Sequence, residues 1–347
     1  MLFPTIQKAT LLSPEGSNKR VLIISEGFEG RSLSWIKLQP EKKLFGNSIV
    51  CKYEPSKKQR FEEMKQAVIA RTCNQPYVLA FNRFEPTSFE VAFESTLGVI
   101  LSEATEIVID ISAMSKMLIM IILHSLRHFS GAIRIIYTEP SSWSPTEAEF
   151  IQKKKDLEQG SFVSLSSIGV FNIVRTPGLS SITMQDSPSL LIAFASTNAY
   201  LVNAVANDVI PEQTLLINAK NSREPWRESA ALEIQKQFIR DFPLYSDEIH
   251  AFELIEYAPL FNFLAEVYKD NCYDKRIIIS PTGGKIHTIS CALIKNCCSD
   301  IHIEYPTPES YLFDSFTSDE YYAVHQIEFQ NYSSLFINLR KEFGLDG

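Results

Sequence analysis

Short apolar runs alternate in the first part of the chain with longer segments in which apolar residues recur every three or four positions. The first pattern is typical of buried strands and the second of helices. Their alternation predicts a mostly parallel sheet with helices on both faces. The predicted strands are 20–25, 48–53, 77–81, 106–111 and 132–137, and the predicted helices are 32–38, 56–71, 87–103 and 114–129.

The second half follows the same plan, with a final alternating strand at 323–330 and a terminal helix at 332–343. Its predicted strands are 190–194, 214–218, 249–256, 276–280 and 301–305, and its predicted helices are 198–207, 227–241, 259–269 and 285–296. Offsets of 168 and 169 residues superimpose three segments in the same order: 133–143 on 301–311, with five identities in eleven positions, 21–24 on 190–193, and 109–116 on 278–285. A repeated offset of this kind indicates an internal duplication.

The pattern breaks between the two halves, where a charged helix at 147–159 precedes a stretch rich in Ser, Gly and Pro. We therefore predict three parts: a first domain at 1–145, a connecting segment at 146–187, and a second domain at 188–347 that carries the extra strand and helix. The predicted fold class is α/β, with two tandem Rossmann-like domains related by duplication. The length of 347 residues agrees with two domains.

The composition and net charge of the chain exclude several classes of function. Hydrophobic residues make up 45% of the chain and charged residues 21%, and no apolar run approaches the roughly 20 residues that span a bilayer. Without a secretory signal pattern at the N-terminus, we expect a cytoplasmic protein that does not associate with membranes. A net charge of −8 argues against strong binding to duplex nucleic acid. The six cysteines lack metal-site spacing, which predicts reduced thiols, no metal and no cofactor.

The strongest motif is at 277–288, where a buried strand enters a Pro-Thr-Gly-Gly-Lys turn and then a helix. Gly283 and Gly284 let backbone N–H groups approach a ligand, and the helix N-terminus favours an anion. Lys285 adds a charge and Thr282 a hydroxyl. The spacing is neither that of a Walker loop nor that of a dinucleotide fingerprint. The alternative is an ordinary tight turn with a solvated lysine.

The corresponding loop of the first half contains Asp110, Ser112 and Lys116, with Ala113 and Met114 in place of the glycines. A carboxylate at the end of a buried strand is costly, so Asp110 either takes part in a site or helps to cap the next helix.

The loops after the first strand of each half supply further candidates. Ser196, Thr197 and Asn198 suit either a ribose or phosphate group or a helix cap. Glu29 and Arg31 are either a polar pair at the mouth of a site or simply surface charge at a helix start. No Ser-His-Asp, Cys-His or paired-carboxylate pattern stands out, so the sequence assigns no catalytic residue and leaves enzymatic activity open.

The strand, Thr-Gly-Gly-Lys turn and helix at 277–288 resemble the ligand loop of CARF domains, the Rossmann-like sensors of type III CRISPR accessory proteins that bind cyclic oligoadenylate. Residues 27–32 and 196–198 correspond to the other ligand-contacting loop of that family. The duplicated pattern over most of the chain also resembles proteins of bacterial anti-phage defence loci. CARF proteins usually carry an effector domain, which this sequence lacks, and the first half lacks the glycine pair.

The resemblance implies a cytoplasmic antiviral regulator that binds a small anionic nucleotide in the cleft between two fused domains and signals to a protein partner encoded nearby. In this hypothesis Thr282, Gly283, Gly284 and Lys285 hold phosphate, the residues of the first-half loop face them, and Ser196 to Asn198 contact sugar or base. Two alternatives stay open: a nucleotide-cleaving enzyme, such as a ring nuclease, and a structural subunit of a defence complex.

Overall fold

A computed structural model describes residues 3–55, 60–159, 165, 167–246, 248–311 and 320–345. In these residues the strands are β1 Gln7–Lys8, β2 Arg20–Ser25, β3 Asn47–Glu54, β4 Tyr77–Asn82, β5 Glu106–Asp110, β6 Ala132–Pro140, β7 Ser167–Ile168, β8 Asn172–Val174, β9 Ser189–Phe194, β10 Gln213–Lys220, β11 Ala251–Glu253, β12 Arg276–Ser280, β13 His302–Ile303, β14 Tyr305–Thr307, β15 Ser310–Tyr311 and β16 Tyr321–Phe329.

The helices of the same residues follow the predicted alternation. They are α1 Ser34–Leu38, α2 Phe61–Ile69, α3 Thr87–Ile100, α4 Lys116–Ser125, α5 Glu147–Glu158, α6 Ala199–Val209, α7 Trp226–Ile234, α8 Lys236–Asp241, α9 Ala258–Asn271, α10 Lys285–Cys297 and α11 Tyr332–Phe343. The chain is thus a mixed α/β protein with mostly parallel sheets, as predicted. The single helix predicted at 227–241 is two helices, α7 and α8, that meet at Gln235.

The chain divides into two compact units, Met1–Trp143 with Thr317–Leu339, and Ser144–Phe316 with Arg340–Gly347. The sheet of the first unit has the order β1-β16-β6-β5-β2-β3-β4. Its five strands from β6 to β4 are parallel, whereas β16 is antiparallel to β6 and β1 is antiparallel to β16. The sheet of the second unit, β11-β10-β9-β12-β13, is parallel throughout.

The predicted domain boundaries differ from these units in two places. The strand predicted at 323–330 was assigned to the second domain, but β16 pairs with β6 along eight positions of the first sheet. Two strands can pair whatever their separation along the chain. The alternation of apolar residues therefore predicted the strand but not the sheet to which it belongs. The segment predicted to connect the domains belongs to the second unit, where β7 pairs with β15 and β8 with β14.

The central strands of both sheets are buried on both faces, which explains their continuous apolar runs. All six residues of β2 are buried. Leu22 and Ile24 pack on one face against Trp35 of α1 and Met64 of α2. In the second unit Leu191 of β9 packs against helix α6 and against Phe238 of α8. Because each central strand is covered on both sides, side chains reach solvent mainly from the loops at the sheet edges.

Candidate functional site

The loops after β9 and β12 are neighbours at the carboxyl edge of the second sheet. Ser280, the last residue of β12, is in register with Ala193 of β9. The two strands occupy adjacent central positions, so residues 195–198 and 281–284 leave the sheet side by side. The structure therefore brings together the two groups of residues that the sequence singled out in this half.

Thr282 fastens these loops to each other. Its hydroxyl donates to the carbonyl oxygen of Phe194 at 2.8 Å and accepts from the Phe194 N–H at 3.0 Å. Its own N–H donates to the carbonyl oxygen of Ser280 at 2.8 Å, and the side chain is buried. These bonds use the Thr282 side chain inside the protein, so Thr282 positions the turn that follows it.

The two glycines allow the turn to pass close to its neighbours. A Cβ on Gly283 would lie 2.9 Å from Cδ1 of the buried Phe194 ring, and a Cβ on Gly284 would lie 2.6 Å from Cδ1 of Leu254. Gly284 is the N-cap of α10, and no side chain caps that helix. The first-turn N–H groups of an α-helix have no acceptor within the helix. The start of α10 is therefore half-buried and carries partial positive charge, and Lys285 is its first residue.

His287 and Ser280 carry polar atoms without partners beside this turn. Nε2 of His287 lies 2.9 Å from the carbonyl oxygen of Glu253. A carbonyl only accepts, so Nε2 carries the hydrogen and Nδ1 is a bare acceptor; it has no partner among the described residues. Burial lowers the pKa of His287, which keeps it neutral. The Ser280 hydroxyl is also buried without a partner in the described part of the chain. The sequence analysis did not select His287 as a candidate.

The polar groups of the residues after β9 form hydrogen bonds within the protein. Asn198 caps α6, since its Oδ1 accepts from the Tyr200 N–H at 2.9 Å, and its Nδ2 donates to the Ser167 hydroxyl at 2.6 Å. The Ser196 hydroxyl donates to the Asn198 carbonyl oxygen at 3.1 Å. The Thr197 carbonyl oxygen accepts from the N–H of Leu165 at 3.1 Å. Capping, the alternative role from sequence, accounts for the Asn198 side chain.

In the first unit, the carboxyl edge holds a buried acid that the sequence analysis did not select. Glu26 follows β2 directly and is fully buried. Its Oε1 accepts from the Tyr53 N–H at 2.6 Å, and its Oε2 has no hydrogen-bond partner in the described residues. Burial raises the pKa of Glu26 to about 7, against the opposing effects of the Tyr53 N–H and of Lys52. The available signal was an acid placed directly after a strand whose four central residues are apolar.

The neighbouring strand β5 presents Asp110 at the same edge, in register with Ile24 of β2. Asp110 is buried and its Oδ1 accepts from the Ser112 N–H at 2.9 Å, while the Ser112 hydroxyl accepts from the Thr138 N–H at 2.8 Å. The helix cap is Ser115, whose hydroxyl accepts from the Leu118 N–H. Asp110 therefore shapes the loop before α4 and is not the cap.

Lys116 begins α4 and is half-buried. Burial lowers the pKa of Lys116 to about 8. No carboxylate of the described residues forms an ion pair with it. Tyr53 links this helix start to Glu26, because its backbone N–H binds Glu26 and its hydroxyl accepts from the Ser115 N–H at 2.6 Å. Glu26 and the start of the helix that carries Lys116 therefore both contact Tyr53.

Glu29 and Arg31 form an ion pair of 2.6 Å in which both side chains are largely buried. The Arg31 guanidinium also donates to the Thr138 carbonyl oxygen at 2.7 Å. The interpretation as exposed surface charge is therefore wrong for this pair. The two side chains hold the loop after β2 against β6.

No protein-family model and no curated protein matches the chain. No helix of the described residues is long and apolar enough to cross a membrane. Those residues also contain no group of three His, Cys, Asp or Glu side chains arranged to hold a metal ion.

Proposed function

We propose that this protein is a receptor for a nucleotide-type anionic ligand, and that its second unit binds the ligand at residues 281–285. One observation carries the proposal: a glycine turn packed closely against Phe194 and Leu254 joins a central parallel strand to an uncapped helix N-terminus whose first residue is Lys285. Binding sites in open parallel sheets lie outside the carboxyl ends of the strands, where the strand order reverses.

The strand order supports this location. Counted along the chain, the five parallel strands β2 to β6 have the spatial order 3-2-1-4-5, and β9 to β13 have the same order. This is the order of doubly wound dinucleotide-binding folds, which reverses between strands 1 and 4. In the second unit those strands are β9 and β12, whose following loops contain the candidate residues. We propose that the two units are Rossmann-like and arose by duplication.

The chemistry of the turn suits a phosphate group. The N–H groups in the first turn of α10, which have no acceptor within the helix, and the positive end of the helix favour an oxyanion, and the Lys285 ammonium adds charge. On the resemblance to CARF domains, we propose a cyclic oligonucleotide as the ligand class and an antiviral regulatory role exercised through a partner protein.

A thermal-shift screen tests the binding proposal. The full-length chain is mixed with cyclic oligoadenylates, cyclic dinucleotides, NAD and mononucleotides, and each hit is recovered and analysed by chromatography. A rise in melting temperature with recovery of intact ligand supports a receptor. Unchanged melting with every member of the panel contradicts it.

A nucleotide-cleaving enzyme is the second candidate, and Glu26 favours it. A carboxyl group with a pKa of about 7 exists in both protonation states near neutral pH, which is the condition for efficient proton transfer. Its buried Oε2 has no hydrogen-bond partner among the described residues. Cleaved ligand in the screen, together with loss of cleavage but not of binding in Glu26→Gln, supports this function. Cleavage that persists in Glu26→Gln contradicts it.

A further inference from the structure

A cavity of about 440 Å³ opens at the amino edge of the second sheet, opposite to the edge that carries Gly283. Its wall includes Ser189 and Arg276, the first residues of β9 and β12. The cavity volume lies within the range of small-molecule sites. Nothing proposed above for the carboxyl edge uses these residues.

Most charged side chains of the cavity wall form ion pairs with one another. The Arg175 guanidinium forms a two-pronged ion pair with Glu304, at 2.9 and 3.0 Å, and also binds Asp208. Nε2 of His302 lies 3.1 Å from Glu304, and its Nδ1 accepts from the Ser181 N–H at 3.0 Å, so Nε2 carries the hydrogen. These four side chains form one network around the buried Glu304 carboxylate.

Arg276 and Glu212 line the same cavity outside that network. Among the described residues, Nη2 of Arg276 donates only to the Ser181 carbonyl oxygen at 3.2 Å, and its buried Nε has no acceptor. Within the described part of the chain no carboxylate forms an ion pair with Arg276. The Glu212 carboxylate likewise has neither an ion pair nor a hydrogen bond among the described residues. The cavity therefore presents one positive and one negative group without ionic partners.

The sheet register fixes the spacing of these two residues. Ser189 is in register with Arg276, and its carbonyl oxygen accepts from the Glu212 N–H at 3.0 Å. Arg276 and Glu212 thus flank β9 on opposite sides. Neighbouring strands are about 4.8 Å apart, so the two Cα atoms are separated by about 10 Å. Because both residues line the cavity, a small molecule that carries both charges can contact both of them.

We propose that this cavity binds a small zwitterion of the α-amino-acid class. The ligand carboxylate accepts from the guanidinium of Arg276, whose planar donors suit a carboxylate, and the ligand ammonium binds the carboxylate of Glu212. The hydroxyls of Ser187 and Ser189 and the amide of Gln185 provide further polar contacts in the wall. This proposal is independent of the nucleotide site at the other edge of the sheet.

The test is saturation-transfer NMR and calorimetry of the full-length protein with the free standard amino acids at millimolar concentration. We expect at least one amino acid to bind and its deaminated and decarboxylated analogues to bind more weakly. Arg276→Gln and Glu212→Gln should each weaken binding about tenfold or more, because each removes a charge-assisted contact. Arg240→Gln, an exposed arginine of the same unit, should leave the affinity unchanged.

Glu212 is exposed, so its substitution tests the site without disturbing the fold. Absence of binding by every amino acid overturns the proposal. Equal affinity in Glu212→Gln and the unmodified protein also overturns it, as does stronger binding of a simple carboxylate than of its amino acid.

Discussion

Thr282 and the backbone of Phe194 exchange two hydrogen bonds, one in each direction, across the carboxyl edge of the second sheet. The pair closes the gap between β9 and the glycine turn and sets where the turn lies. Thr282→Val keeps the shape of the side chain and removes both bonds. We expect a loss of about 1–3 kcal/mol in the free energy of unfolding, since buried backbone groups lose a partner.

Urea unfolding of the variant measures this loss. Thr282→Ser retains the hydroxyl and should recover most of the stability. Thr96→Val, which removes a hydroxyl from a helix of the first unit, is the surface control. If Thr282→Val is as stable as Thr96→Val, the proposed role of the pair is wrong.

Substitution by alanine should destabilise the protein to a different extent at each of the two glycines of the turn. The Cβ of Gly283→Ala would meet Cδ1 and Cγ of the buried Phe194 ring at 2.9 Å, and we expect a cost of about 1–3 kcal/mol from overpacking. In Gly284→Ala the obstacle is the end of the Leu254 side chain, which can rotate away, so the cost should be smaller.

Gly98→Ala is the matched control, because no atom lies within 4 Å of its added Cβ in the middle of α3. We expect that variant to gain about 0.5–1 kcal/mol from helix propensity. In chemical denaturation, Gly98→Ala should have the highest free energy of unfolding of the three variants. Gly284→Ala should come next, and Gly283→Ala should have the lowest value. An equal effect of the two turn substitutions would contradict the packing described for Phe194.

Glu26 should make the stability of the protein depend on pH. Its pKa rises from 4.5 to about 7 on folding, mainly through burial, so the native state binds a proton more tightly than the unfolded chain. The stabilisation is complete below about pH 4.5 and is lost as the pH rises through about 7. The corresponding free energy is about 3 kcal/mol.

The measurement is the free energy of unfolding at about pH 5 and about pH 8, which lie within and above the range of the shift. Glu26→Gln should lose most of the pH dependence over this interval. Glu62→Gln, an exposed acid of α2, should keep it. An identical pH profile in Glu26→Gln and the unmodified protein would show that Glu26 does not titrate as described.

The sequence predicted the fold class because the buried strands are almost purely apolar and the helices periodic. The six buried positions of β2 and the buried residues 117–124 of α4 leave little ambiguity. Pairing between distant segments was not predictable in the same way. The partner of β16 is β6, nearly two hundred residues earlier, and no local pattern encodes that choice.

The sequence selected two loops that are neighbours in the second sheet, and it did not determine the contacts of their side chains. The register of Ser280 with Ala193 brings the predicted loops together. The roles of single polar residues depend on which atoms they reach, and Asn198 caps a helix and binds Ser167 instead of facing outward. Glu26 escaped selection because a lone acid after a strand is usually solvated, and only the fold shows that it is buried.

Binding of a nucleotide-type ligand at the glycine turn is the central claim, and a calorimetric titration with Lys285→Ala tests it most directly. The titrant is the member of the nucleotide panel that raises the melting temperature most. We predict that Lys285→Ala weakens its binding about tenfold or more while the melting temperature of the free protein stays nearly unchanged, and that Lys236→Ala, an exposed lysine of the same unit, binds normally. Equal affinities in Lys285→Ala and Lys236→Ala would contradict the assignment of the site.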